Sequence, residues 1–392
     1  MAAGIAAPFV YDPLIAETIE DPYPAFEQML ALHPVYRNEE RDFWALSRFD
    51  DVQAAIRAWR DYSSSAGVRI DDLLELAVPS PLTMDPPRHD VLRSMLRQPF
   101  STREIAAMEP LVTRHAQRLL DDIAADEEFD AVAQFAKRLP VAVIGELLGL
   151  DFDQVSTLKA WADSMLETIP GSSSATPAAR AAAENLRAYW VDQLGERRSR
   201  PRQDLLSLVA AMEVDGRQLP EDEQVGMCNL IFEAGNATTA TLIGNAILAL
   251  DVFEDQQRWL RDNLDQLPSA IEEFLRFESP VQGLLRVTTS ELMMHGVPVP
   301  EGSRVLLLLS AANRDPRMWD DPNSLDLSRV PKRNLAFGEG IHFCLGAPLA
   351  RLEGPIALRL FLERYPKYQV TSKTRFHDVS MRALSSLTVQ VG

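Results

Sequence analysis

The sequence predicts a mainly α-helical chain with small β-sheets, organised as one domain over residues 1–392. Three observations carry that expectation. Apolar residues recur at helical spacing through most of the first two thirds. Short alternating segments gather around Gly296 and Gly302 and again in the tail. No internal repeat, charge block or low-complexity linker divides the chain.

The elements follow in order. Asp21–Leu32 opens with an acidic residue and two prolines, then places Phe26, Met29 and Leu30 at helical spacing. Phe43–Ser47 is short and aromatic behind the turn Asn38–Arg41, which reads as a hairpin. Residues 63–83 form a weakly patterned loop of the kind that is functional or mobile in a compact domain. Helical patterns resume over His89–Gln98, Ile105–Ala125, Phe129–Leu148, Phe152–Ile169 and Pro177–Arg200, with Gly171–Thr176 as a hinge of small residues. Pro220 starts a long helix, Glu221–Phe253, and Pro280 closes another, Pro268–Phe277. Val287–Val299 and Arg304–Leu309 read as short strands. Asn313–Arg333 is punctuated by Pro316, Pro322 and Pro331. Ala347–Tyr365 is a final amphipathic helix.

Composition narrows the function. With 39 basic and 57 acidic residues, the net charge of −18 argues against a nucleic-acid partner. The chain is 46% apolar and 24% charged, which is globular and not disordered. Two cysteines, Cys228 and Cys344, do not make a disulfide scaffold in a chain this long. Met1–Val10 has no basic residue, and no apolar run approaches the roughly 20 residues of a membrane span. A monomeric, cytoplasmic protein is expected.

The sharpest motif is Phe337-Gly-Glu-Gly-Ile-His-Phe-Cys344-Leu-Gly346, directly ahead of a helix. Its glycines permit close approaches, and the helix start offers free N–H groups that favour a thiolate. A buried structural cysteine is one reading and a catalytic nucleophile another, although no His–carboxylate pair is placed to activate it. A zinc site lacks ligands. A thiolate ligand to haem iron wants one such cysteine on a clear loop beside a flat apolar residue, here Phe337.

Phe337-x-x-Gly340-x-His342-x-Cys344-x-Gly346 resembles the cysteine-ligand loop of the cytochrome P-450 family. Three further segments match in that family's order, covering nearly the whole chain. Glu273-Phe-Leu-Arg276 is, alone, a helical surface pair worth about 0.2–0.5 kcal/mol. By resemblance it is the ExxR motif, a buried ion pair joined by Arg329. Ala234-Gly235-Asn236-Ala237-Thr238-Thr239 puts a glycine inside a helix at a cost of about 1 kcal/mol, and a threonine able to bond back to Ala234. It resembles the oxygen-activation groove, with Gly235, Thr238 and Thr239 as its residues. Asp85-Pro-Pro-Arg-His89-x-x-x-Arg93 resembles the segment whose His and Arg reach the haem propionates, helped by Arg286 and His342.

The resemblance implies a cytochrome P-450 fold and haem b (iron protoporphyrin IX), with Cys344 as iron ligand. His89, Arg93, Arg286, His342, Phe337 and Gly346 would bind the cofactor. The implied activity is insertion of one oxygen atom of dioxygen into a small hydrophobic substrate, by hydroxylation or O-dealkylation. No dinucleotide loop or cysteine cluster is present, so a separate ferredoxin and ferredoxin reductase would supply electrons. A peroxide-driven peroxygenase and a non-catalytic haem-binding module are the alternatives.

Two positions depart from the family. Ala237 stands where an acid usually precedes the threonine, with Asn236 one position off and Glu233 expected on another side of the helix. Glu339 stands where the cysteine loop often has histidine, on the face where an electron donor would dock among Arg93, Arg97, Arg103 and Arg351. By resemblance the pocket draws on Ser64–Leu82, Met165–Ser174, Leu230–Thr238, Val281–Leu285 and Arg382–Ser386. Within it Arg69, Val281, Leu284, Leu285 and Leu384 are the substrate candidates, and Arg69 or Arg382 could hold the carboxylate of an aromatic acid. Cys228 is expected to be core.

Overall fold

A computed structural model describes residues 9–70, 76, 78–123, 128–165 and 175–391. Its organising element is the helix Glu221–Val252, which follows Pro220 and carries Glu221, Asp222 and Glu223 in its first turn, where acids complement the helix dipole. It is buried along most of its length and packs against the helices Arg138–Leu148, Pro177–Ser199, Leu205–Ala210 and Ala347–Arg364 and the strand Leu384–Val391. Gly226 lets it meet the preceding loop: a Cβ there would lie 2.0 Å from the carbonyl oxygen of Pro79.

Beside the helices lies a five-stranded sheet in the order Val35–Asn38, Phe43–Leu46, Arg304–Leu307, Leu284–Thr288, Tyr62–Ser63. All its pairs are antiparallel except Arg304–Leu307 with Phe43–Leu46. A second sheet orders Tyr368–Arg375, Leu384–Val391, Glu128–Asp130. Among the described residues no single helix is long and apolar enough to cross a membrane.

Local chemistry explains where expected helices break. Phe129–Leu148 divides into a strand, Glu128–Asp130, a π-turn, Val132–Ala136, and a helix, Arg138–Leu148. The Asp130 carboxylate accepts the N–H groups of Val132 and Ala133 at 2.9 and 3.0 Å, which ends the strand and starts the turn. The pattern over Ile105–Ala125 splits into Thr102–Ala106 and Glu109–Asp122, with Pro110 at the start of the second, where a missing N–H costs nothing. The strand at Arg304 stops at Leu307, and Leu309–Ala312 turns into a short helix. The helix Phe152–Ser164 forms, and most of the expected hinge at 171–176 lies outside the described residues. Thr176 caps the following helix by accepting the N–H of Ala179 at 3.0 Å.

Candidate functional site

The cysteine loop is closed by its own backbone: the Cys344 N–H donates to the Phe337 carbonyl at 2.8 Å. Gly338 and Gly340 take φ of 64° and 68°, the left-handed region where a side chain is strained. Gly340 also passes close to the helix Phe49–Arg57, since a Cβ would lie 3.3 Å from the Ile56 carbonyl oxygen. The N–H groups of Gly346 and Ala347, at the start of the helix Ala347–Arg364, donate to the Cys344 sulfur. Burial nonetheless pushes the thiol above its ordinary value, outweighing those donors and the charges of Arg93 and Arg351. The donor pair suits a thiolate once a Lewis acid takes the proton's place.

Around this loop four basic side chains converge, with Asp90 on the Nδ1 of His89 at 2.8 Å and Asp85 beside Arg286 as the acids near them. His89 is 1% exposed, and its Nε2 has no partner among the described residues. Its ring lies 4.5 Å from that of His342, whose Nε2 hydrogen-bonds Ser64 Oγ at 3.1 Å. Arg286, held in register opposite Val305, is 2% exposed and among the described residues donates only to the adjacent Leu285 carbonyl at 2.7 Å. Burial lowers its pKa to about 10, with Asp85 the only acid opposing the shift. Arg93 donates to the Phe343 carbonyl. Burial, then Arg286, His89 and Arg93, push His342 down to about 3. A buried guanidinium such as that of Arg286 is costly unless an anion joins it.

Thr238 bonds back to the Ala234 carbonyl at 2.9 Å, and Thr241 does the same to Ala237 at 2.7 Å. Gly235 serves packing: a Cβ would lie 2.8 Å from Ile144 Cδ1 on the neighbouring helix. Thr239 is buried, and so is Asn236, whose amide has no partner among the described residues. Along the middle of this helix, Leu230, Glu233, Ala234, Ala237 and Thr238 form a stripe that remains open to water. Glu233 thus shares the face of Ala237, four residues on, contrary to the sequence expectation, and stands about 140° around the helix from Thr238. The stripe is interior: surrounding protein desolvates the Glu233 carboxyl and raises its pKa to about 7, against the pull of Arg69 and Lys159.

Behind the loop, Arg276 makes two 2.7 Å bonds to Glu273, and both are almost fully buried. Its remaining donors reach the carbonyls of Asn313, Pro322 and Ser324 at 3.2, 2.7 and 3.0 Å, and Arg329 joins Glu273 at 3.3 Å. Every donor direction of the guanidinium is used.

The pocket candidates divide. Val281 and Leu284 are half-buried, while Leu285 and Leu384 are fully packed, the latter in the main core. Neither arginine proposed for a substrate carboxylate is spare. Arg69 pairs with Asp378 at 3.3 Å, and Arg382 bonds Glu278 at 2.8 Å and the Ile19 carbonyl at 2.6 Å. Met165 is described, but 166–174 of the same pocket segment are not. Cys228 is buried in the core. Glu339 is held by Arg57 at 2.5 Å and Arg333 at 3.2 Å, and accepts from Gln53 at 3.0 Å, so it is not a spare surface acid. Sequence reasoning missed Arg57 and Arg333, and it named Ser64 only as part of the pocket segment, not as the partner of His342. Arg351 pairs with Glu272 at 2.6 Å and lies over the Phe337 ring at 4.5 Å.

Residues 178–389 match the family model for cytochrome P450. Cytochrome P-450 123 of Mycobacterium tuberculosis is 36% identical over 389 residues, 97% of each chain. The solved cytochrome P-450 PksS of the Bacillus subtilis bacillaene polyketide synthase superposes with a TM-score of 0.90 at 30% identity, covering 98% of this chain and 100% of the other. CYP109E1 of Bacillus megaterium, solved in complex with testosterone, gives 0.88 at 30% identity, covering 96% and 99%. Members of this family bind haem b. On its cysteine loop, its fold and these matches, the chain belongs to the cytochrome P-450 family.

Proposed function

We propose that this chain is a haem-thiolate monooxygenase acting on a hydrophobic organic substrate, by hydroxylation or O-dealkylation, with electrons from a separate ferredoxin and ferredoxin reductase. The observation that carries the proposal is the conjunction of Cys344, whose sulfur receives two N–H donors, with a cluster of basic side chains, His89, Arg93, Arg286 and His342, of which His89 and Arg286 are buried. Haem b fits this set, because it brings an iron for the sulfur and two carboxylates for His89, Arg93, Arg286 and His342. When bound, it supplies reductive activation of dioxygen, favoured by thiolate donation.

The chain's own residues do the rest. The Gly346 and Ala347 N–H groups orient the sulfur. The Glu273–Arg276–Arg329 network fixes the segment 322–329 behind the loop. Thr238 presents its hydroxyl on the open stripe, where it can hold a water and pass a proton. Leu230, Ala234 and Val281 offer apolar surface to the substrate and exclude water. The aromatic-acid reading loses its support with the pairing of Arg69 and Arg382.

The test needs no substrate: under carbon monoxide, NADH with ferredoxin and reductase should reduce the haem, and omission of ferredoxin should stop it. Reduction at the same rate without ferredoxin counts against the proposed electron route. Ala237 favours peroxide as a second reading, since the usual acid next to the threonine is absent. Product formed with hydrogen peroxide but not with the electron-transfer couple would select it.

A further inference from the structure

Glu233 is the one acid on the water-open stripe of the central helix. It makes no hydrogen bond or ion pair among the described residues. A long helical side chain leans toward the helix N-terminus. Glu233 therefore extends over Leu230 and away from Thr238, which suits contact with substrate better than service to the threonine. The charged groups acting on it come from two other elements, Arg69 on the loop after Ser64 and Lys159 on the helix Phe152–Ser164. Each is already matched, Arg69 by Asp378 and Lys159 by Asp163 one turn on. Among the described residues the charges acting on it are thus already paired, and the Glu233 carboxylate is left over.

We propose that Glu233 is the polar anchor of the substrate cavity and selects molecules whose apolar body carries a positively charged amine. The proposal rests on the haem-monooxygenase reading and names the substrate class within it. A carboxylate that surrounding protein desolvates and that has no partner among the described residues is costly, and a ligand cation removes that cost where an alcohol or an acid does not. An acid would also find the described arginines of the pocket, Arg69 and Arg382, already paired.

Three probes with one chain and different heads test the assignment by calorimetry on the haem-loaded protein: decyltrimethylammonium, 1-decanol and decanoate. The quaternary head neither titrates nor coordinates iron, so any pH dependence belongs to the protein. The cation should bind at least about ten-fold tighter than either other probe. Its affinity should weaken about ten-fold from pH 8 to pH 6, as a carboxyl with a pKa of about 7 takes up its proton. E233Q should abolish both the preference and the slope. Equal or tighter binding of decanol or decanoate, failure of the cation to bind, or survival of the preference in E233Q would overturn it. The carbon monoxide band of the reduced protein reports the thiolate and not Glu233, so it separates failure of this assignment from failure of the haem reading.

Discussion

Replacing Glu353 by glutamine should stabilise the protein, and by more as the pH rises. Glu353 lies on the helix that follows Cys344, is 0% exposed, and neither carboxylate oxygen has a partner among the described residues. Burial alone raises its pKa from 4.5 to about 8. The folded state thus keeps a proton that the unfolded state releases above about pH 4.5. Stability is lost progressively as pH rises from there until the folded group also ionises near pH 8. At 1.36 kcal/mol per unit, the loss between pH 5 and pH 7.5 is about 3 kcal/mol. Glutamine keeps the volume and does not ionise. Urea unfolding of both proteins at the two pH values measures the effect, and the variant-minus-parent difference cancels every other titrating group. That difference should move by about 3 kcal/mol in favour of Glu353→Gln. A difference constant to within about 0.5 kcal/mol would show that Glu353 is not a desolvated, protonated acid, and would refute the reasoning.

Three further outcomes follow from the same geometry. Arg276→Ala strands Glu273 and three carbonyls, so urea unfolding should show a loss of about 3–5 kcal/mol, and the double variant with Glu273→Ala should lose less than the sum of the single losses. Arg286→Leu should release haem to apomyoglobin about ten-fold faster while leaving the haem-free chain no less stable, because it removes a buried cation without a carboxylate partner. Thr238→Ala should raise hydrogen peroxide released per NADH consumed by about 10-fold or more, and an unchanged ratio would deny the hydroxyl a part in proton handling.

What the sequence shows of this site depends on distance along the chain. The Cys344 loop, the Glu273–Arg276 pair and the Thr238–Ala234 bond each lie within ten residues, so spacing alone nearly defines their geometry. Glu339 is different. Its neighbour Gln53 is 286 positions away, and nothing local to the loop announces that Arg57 will neutralise it, whereas Arg333, only a few residues ahead, could have been read. Arg69 and Arg382 were legible as cations but not as partners of Asp378 and Glu278 for the same reason. Glu233 was misplaced by judging one residue against Thr238 and not the whole i, i+3, i+4, i+7 stripe that leaves Leu230, Glu233, Ala234 and Ala237 together. The helix Phe49–Arg57 could have been read, since Phe49, Val52, Ala55 and Ile56 are its buried face at helical spacing. The π-turn at Val132–Ala136 could not, because it depends on Asp130 capturing two backbone donors and on pairing with the strand Leu384–Val391.

The central claim is that Cys344 supplies a thiolate to haem iron, and the carbon monoxide difference spectrum of the reduced protein tests it most directly. The parent protein should show the Soret band at the thiolate position, and Cys344→Ser should lose it while keeping the parent's helical circular dichroism. Haem bound without that band in the parent, or the band intact in Cys344→Ser, would contradict the account.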